Sequence, residues 1–184
     1  MTKTVLVPVA DGTEEIEAIV IIDILRRAGA DVTTASVMDL KITASRKTKI
    51  EADELISACA GRTYDLIAIP GGIPGAENLR DSAVLTSMIK DQAASGRLIA
   101  AVCAAPSVVL GTHGILAGKN ATGYPGFAKH FEFPAPPDVP VVVDGNVVTS
   151  RGVGTVIPFA LKLVELLFGE EKSAEVATAI LCRG

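Results

Sequence analysis

Leu98-Ile99-Ala100-Ala101-Val102-Cys103-Ala104-Ala105-Pro106-Ser107 is the stretch on which the fold turns. Its first part, Leu98–Val102, is apolar without alternation, the pattern of a strand buried on both faces. A helix follows from Ala104, with Pro106 near the first turn, where a missing N–H costs least. Cys103 occupies the bend between them. A nucleophile on a sharp strand-to-helix turn is held strained and exposed, facing the N–H groups that open the helix. Side chains at such a bend would strike the neighbouring strand, and here the flanking positions are the small Ala101, Ala104 and Ala105. A helix N-terminus also favours the thiolate, so the sequence predicts a lowered Cys103 pKa. Cysteine is among the residues most often simply buried. The carboxyl end of a central strand, however, is where open α/β sheets bind ligands.

Working outward, Asp65–Pro70 reads as another buried strand, and Pro70-Gly71-Gly72-Ile73-Pro74-Gly75-Ala76 at its end brings unobstructed N–H groups to the same edge. They could complete an oxyanion pocket. The P-loop spacing is absent, and Gly152-Val153-Gly154-Thr155 lacks the third glycine of a dinucleotide fingerprint and reads as a tight turn. Thr4–Val9 is a first strand, followed by a helix carrying Ile16, Val20, Ile24 and Leu25 toward the core and closed by Gly29. On that reading Ile19, Ile21 and Ile22 fall off the core stripe and need another surface to cover them. Val32–Val37 is a strand, Lys41–Glu51 a hairpin or irregular strands, and Glu54–Ala60 a brief helix. Asp81 caps a helix through Ser95, stopped by Gly96. Pro134–Pro140 is a surface loop, Asp144-Gly145-Asn146 the turn of a hairpin, and Pro158–Phe168 and Lys172–Leu181 are helices. Alternating strands and helices predict a mostly parallel sheet covered on both faces, in one domain spanning 1–184.

Composition agrees with an α/β class and narrows the function. Of 184 residues, 49% are hydrophobic and 21% charged, which excludes disorder. No apolar run approaches the ~20 residues of a membrane span, so no membrane partner is expected. Met1-Thr2-Lys3 runs straight into a strand and lacks a signal-peptide layout, pointing to the cytoplasm. The net charge of −4 and scattered Lys and Arg give no stripe for a phosphate backbone, so nucleic acid is not expected either. Cys59, Cys103 and Cys182 form neither a disulfide framework nor a metal pair. Glu17 lies just beyond the first strand, at the edge that also holds Cys103; burial there would raise its pKa and keep it protonated. His113 and His130 read as surface or loop residues, so no Cys–His dyad is assigned.

The segments Asp11-Gly12-Thr13-Glu14-Glu15-Ile16-Glu17, Leu25-Arg26-Arg27-Ala28-Gly29, Thr43-Ala44-Ser45-Arg46, Asp65–Gly72, Ala101–Pro106 and Thr149–Thr155 together resemble the ThiJ/PfpI superfamily. The similarity is to the branch of the Parkinson disease protein 7 (protein deglycase) and its bacterial homologues. The resemblance implies a flavodoxin-like α/β sandwich and a homodimer. It also implies that Cys103 is the reactive cysteine and Glu17 its protonated partner, that the N–H groups of Gly72 and Ala104 line an anion pocket, and that Arg27, Arg46 and Tyr124 belong to the pocket or the dimer edge. Tyr124 stands where some members carry histidine, so a histidine-dependent protease mechanism is not implied. Glu51 replaces a second family cysteine, so redox behaviour tied to that thiol does not carry over. The function implied is cofactor-free, glutathione-independent conversion of reactive dicarbonyls to hydroxy acids, with deglycation of methylglyoxal adducts beside it. The alternative is a non-enzymatic redox sensor and chaperone.

Overall fold

In Val5, Val7 and Val9 the first strand offers one apolar face and in Leu6 another, and both are buried. Helices must therefore cover the sheet twice. The computed structural model describes residues 2–182, with the backbone alone for 128–130. In chain order the elements are β1 (Thr4–Val9), α1 (Glu15–Arg27), β2 (Asp31–Ser36), β3 (Lys41–Thr43), β4 (Lys49–Glu51), β5 (Glu54–Leu55), β6 (Leu66–Ile69), α2 (Gly75–Asp81), α3 (Ala83–Ala94), β7 (Leu98–Val102), β8 (Asn120–Ala121), β9 (Phe133–Pro134), β10 (Val141–Asp144), β11 (Val147–Ser150), α4 (Val156–Phe168) and α5 (Glu170–Ala179). Seven strands form the main sheet in the order β10-β11-β7-β6-β1-β2-β5. Every pairing in it is parallel except β10 with β11. One core joins Val5, Val7, Ala100 and Val102 to α1, α4 and Val176 of α5. The other joins Leu6, Ile67, Ile69 and Ile99 to α2, α3 and the helical segment after β7. Odd and even strand positions thus serve different layers, as the pleat requires.

Four local expectations are corrected. The brief helix at Glu54–Ala60 is a two-residue strand, β5, followed by a 3₁₀ turn at Ile56–Cys59, because Glu54 and Leu55 pair with Ala35 and Ser36 of β2. Asp81 ends α2; Ser82 caps α3 instead, its hydroxyl accepting from the Leu85 N–H at 3.3 Å. The helix beginning near Ala104 has wide π-type turns over Pro106–Gly111. Helix α1 is rotated from its expected facing: Ile21 and Ile22 are buried, whereas Ile16 is 50% and Ile19 48% exposed. Apolar residues almost encircle α1, so their spacing alone could not choose which face meets β1 and α4.

Candidate active site

The neighbouring parallel strands β1, β6 and β7 deliver their carboxyl ends to one edge. After β1 the chain runs to β2 on one side and later returns to β6 on β1's other side, so the crevice between β1 and β6 is the switch point of the sheet. Glu17 follows β1, Gly71 and Gly72 follow β6, and Cys103 follows β7 beside them. Cys103 adopts φ 65°, a left-handed conformation that a non-glycine residue rarely takes. Its N–H donates to the Ser150 carbonyl (3.0 Å) and its carbonyl accepts from the Tyr124 N–H (2.7 Å), which hold the bend from both sides. Gly71 is required by space: a Cβ there would come within 2.6 Å of the Cys103 Cβ and 2.9 Å of Glu17 Oε2.

Glu17 has no exposed surface. Its Oε2 accepts the Gly71 N–H at 2.8 Å. Its Oε1 is buried without a hydrogen-bond partner among the described residues. The Cys103 thiol lies near enough to influence it, and the N–H groups of Gly72 and Ala104 are directed at the Cys103 sulfur. Burial pushes the Glu17 carboxyl up to about 7, the Glu14 charge adds to this, and the Gly71 N–H and Cys103 thiol oppose it. Burial also pushes the Cys103 thiol up to about 12, with the negative charge of Glu17 next and the two N–H donors opposing. The lowered thiol pKa expected from the helix end is thereby corrected, because desolvation and an adjacent carboxylate outweigh the helix donors. Two negative charges cannot share so dry a site, so burial and mutual repulsion raise both groups and the pair loses its protons in two separate steps.

An open cleft of about 580 Å³ leads to the sulfur, walled by Glu14, Arg46, Ile73, Tyr124, Arg151 and Val153 among others. Its rim is pinned from beneath. Glu15, almost buried, accepts the Arg46 N–H at 2.9 Å and the Ser45 hydroxyl at 2.8 Å. Burial would raise this carboxyl, but those bonds, with its own N–H and Thr48, hold it down to about 2.

The DJ-1/PfpI family profile matches residues 3–166. The chain belongs to the DJ-1/PfpI family. Protein DJ-1 homolog A of Arabidopsis thaliana is 48% identical over 99% of the chain, which spans only 47% of that relative. The glutathione-independent glyoxalase DJR-1.2 of Caenorhabditis elegans is 39% identical over 92% of this chain and 90% of its own. The structure of oxidized Toxoplasma gondii DJ-1 superposes with a TM-score of 0.95 at 51% identity, covering 98% of both chains. The three-layer sandwich is the flavodoxin-like fold of DJ-1 proteins.

Of the residues marked by the DJ-1/PfpI resemblance, Cys103, Gly72, Ala104, Arg46 and Tyr124 line this cleft, and Glu17 lies beneath it. Arg27 does not. It closes α1, is paired with Asp23, and borders a different groove with Ile19, Ile157 and Leu181. The pocket alternative for Arg27 is therefore withdrawn. Sequence reasoning overlooked Glu14 and Arg151 as wall residues and set aside Gly152–Thr155 as a turn. That segment does turn, through a 3₁₀ helix at Val153–Thr155, but it turns into the cleft. Its position after β11, another strand of the same sheet, was the available signal. His113 bonds to the Arg80 carbonyl (3.0 Å), away from the cleft, and the side chain of His130 lies outside the described residues. No helix among the described residues is long and apolar enough to cross a membrane.

Proposed function

We propose that this DJ-1/PfpI domain, residues 1–184, is a cofactor-independent enzyme converting reactive dicarbonyls, such as methylglyoxal, to hydroxy acids, with Cys103 as nucleophile and Glu17 as proton shuttle. The carrying observation is the pairing of a positive-φ cysteine at a strand end with a fully buried carboxyl whose Oε1 has no partner. Once the pair has lost its first proton, Glu17 is the ionised member, and its Oε1 takes the thiol proton as the sulfur attacks. Two N–H groups serve the sulfur. The sulfur adds to the aldehyde carbon, and the Gly72 and Ala104 N–H groups hold the oxyanion of the hemithioacetal. Glu17 protonates that oxygen, takes the proton from the former aldehyde carbon and delivers it to the neighbouring carbon through an enediol. The product is a thioester. Water cleaves it, releasing lactate from methylglyoxal and restoring the thiol, with no external oxidant or reductant. The glyoxalase name of the nematode relative supports the reading.

The test is lactate formation from methylglyoxal without glutathione, compared between the wild type and Cys103→Ala. Equal rates would end the enzyme reading. A redox-sensing and chaperone role is the second reading, favoured by a partly exposed Cys103 whose oxidation product the same N–H groups and Glu17 could hold. Mild peroxide followed by peptide mapping tests it, with sulfinate expected at Cys103 before the buried Cys59 or the half-buried Cys182. We also propose a homodimer through the exposed face of α1, and a cytoplasmic location, which three free cysteines fit.

A further inference from the structure

Seven of the eight arginines are described, and five have guanidinium groups engaged within the protein. Arg26 bonds to Asp53, Arg27 to Asp23, Arg62 to Glu54, Arg80 to Asp81 and Arg97 to Gln92. Arg46 and Arg151 make no side-chain hydrogen bond or ion pair to any described residue, and both wall the Cys103 cleft. Their backbones are nonetheless fixed. The Arg46 N–H donates to both oxygens of Glu15 at 2.9 and 3.0 Å, and the Arg151 N–H donates to the Thr155 hydroxyl at 3.2 Å, which also takes the Gly152 N–H at 3.1 Å. Each cation is thus presented by a held turn with its head group uncommitted. They reach the cleft from the β3–β4 turn and from the segment after β11, on separate elements. One carboxylate, Glu14, also walls the cleft, with the Ser45 hydroxyl 2.7 Å from it, so two cations stand there against one anion. A cleft of about 580 Å³ is also far roomier than a three-carbon dicarbonyl needs.

We propose that Arg46 and Arg151 form an anion subsite, so that the cleft selects carbonyl compounds bearing a carboxylate or phosphate group over neutral dicarbonyls. The inference deepens the proposed function, in that it takes Cys103 as the group that attacks the carbonyl. Guanidinium suits the task because its planar fork matches both anions and stays charged at any working pH. A ketoaldehyde with a carboxylate tail, such as 4,5-dioxopentanoate, would react at Cys103 while its tail meets the arginines, giving 2-hydroxyglutarate by the same internal proton transfer and addition of water.

The test separates the subsite from turnover by measuring how fast Cys103 is alkylated by iodoacetate, an anion, and by iodoacetamide, its neutral counterpart, at low salt. In Arg46→Gln and Arg151→Gln the iodoacetate-to-iodoacetamide rate ratio should fall, by roughly tenfold in the double variant. Arg→Lys at either position should restore most of it. Protection of Cys103 by inorganic phosphate would assign a phosphate-type ligand, and protection by acetate a carboxylate. A double-variant ratio within about twofold of wild type, with no protection by either anion, overturns the proposal. Steady-state rates with 4,5-dioxopentanoate against methylglyoxal supply the catalytic arm, where the wild type should prefer the former and the double variant lose the preference. If the wild type turns over neither compound, the enzyme reading fails while the alkylation ratio still judges the subsite.

Discussion

At the scale of single residues, the proposed chemistry rests on how Glu17 and Cys103 share their protons. Glutamine at position 17 can donate a hydrogen bond but cannot give and take a proton. Glu17→Gln should therefore lower dicarbonyl turnover by ~10²–10⁴ while keeping much of the sulfinate formation at Cys103; turnover within a few-fold of wild type would remove Glu17 as the shuttle. The first ionisation of the pair near 7 predicts that kcat/KM climbs with pH through that value and levels off above it. A pH–rate profile checks this, and the inflection should vanish or move in Glu17→Gln. Stability carries the opposite sign. The Glu17 pKa is raised from 4.5 to about 7, so its contribution is whole below pH 4.5 and is lost as pH rises through 7. At ~1.4 kcal/mol per pKa unit, the loss is on the order of 3 kcal/mol. Urea titrations at pH 5 and pH 8 should show Glu17→Gln gaining on wild type at the higher pH. Cys103 was legible as a candidate because strand, small flanks and helix surround it in sequence. Glu17 was legible too, from its place just beyond β1 at the edge shared with Cys103, although the contacts with the loop after β6 that bury it are not local to the sequence.

At the scale of elements, the site depends on close approach between the loops after β1, β6 and β7. Gly71→Ala would force a Cβ within 2.6 Å of Cys103 Cβ, so it should either destabilise the protein by about 1–3 kcal/mol or displace the nucleophile. Urea denaturation and Cys103 alkylation rates measure the two outcomes, and a variant unchanged in both would contradict this packing. The β3–β4 hairpin is tied to α1 by Glu15. Its carboxyl is held down to about 2, so the tie is intact above pH 4.5 and lost as pH falls through 2. The hairpin itself was readable from Lys41–Glu51. The missed elements, β5, α2 and β9, are short, and partners distant in sequence or a glycine- and proline-rich lead-in outweigh their local signal.

At the scale of the whole molecule, α1 leaves Ile16 and Ile19 exposed, with Ile157 and Leu181 bordering the same side. A homodimer covering this face should give a mass near twice 19.0 kDa by sedimentation equilibrium, and Ile19→Glu should shift it toward monomer. Wild type sedimenting near 19.0 kDa at micromolar concentration would refute the dimer. The sequence identified an apolar α1 in need of cover, yet named Ile21 and Ile22 among the outward residues. Helical spacing orders the faces of α1 but cannot say which one β1 and α4 claim when nearly all are apolar. Unbroken apolar strands, glycines at strand ends and a cysteine between strand and helix determined the parallel sheet and the edge where chemistry would sit, because each is a local constraint on backbone and solvation. Tertiary structure alone decided that the thiol is raised, that Arg27 stands elsewhere and that Arg151 joins Arg46. Burial, charge coupling and cleft lining arise between segments far apart in the chain, where local pattern carries no information.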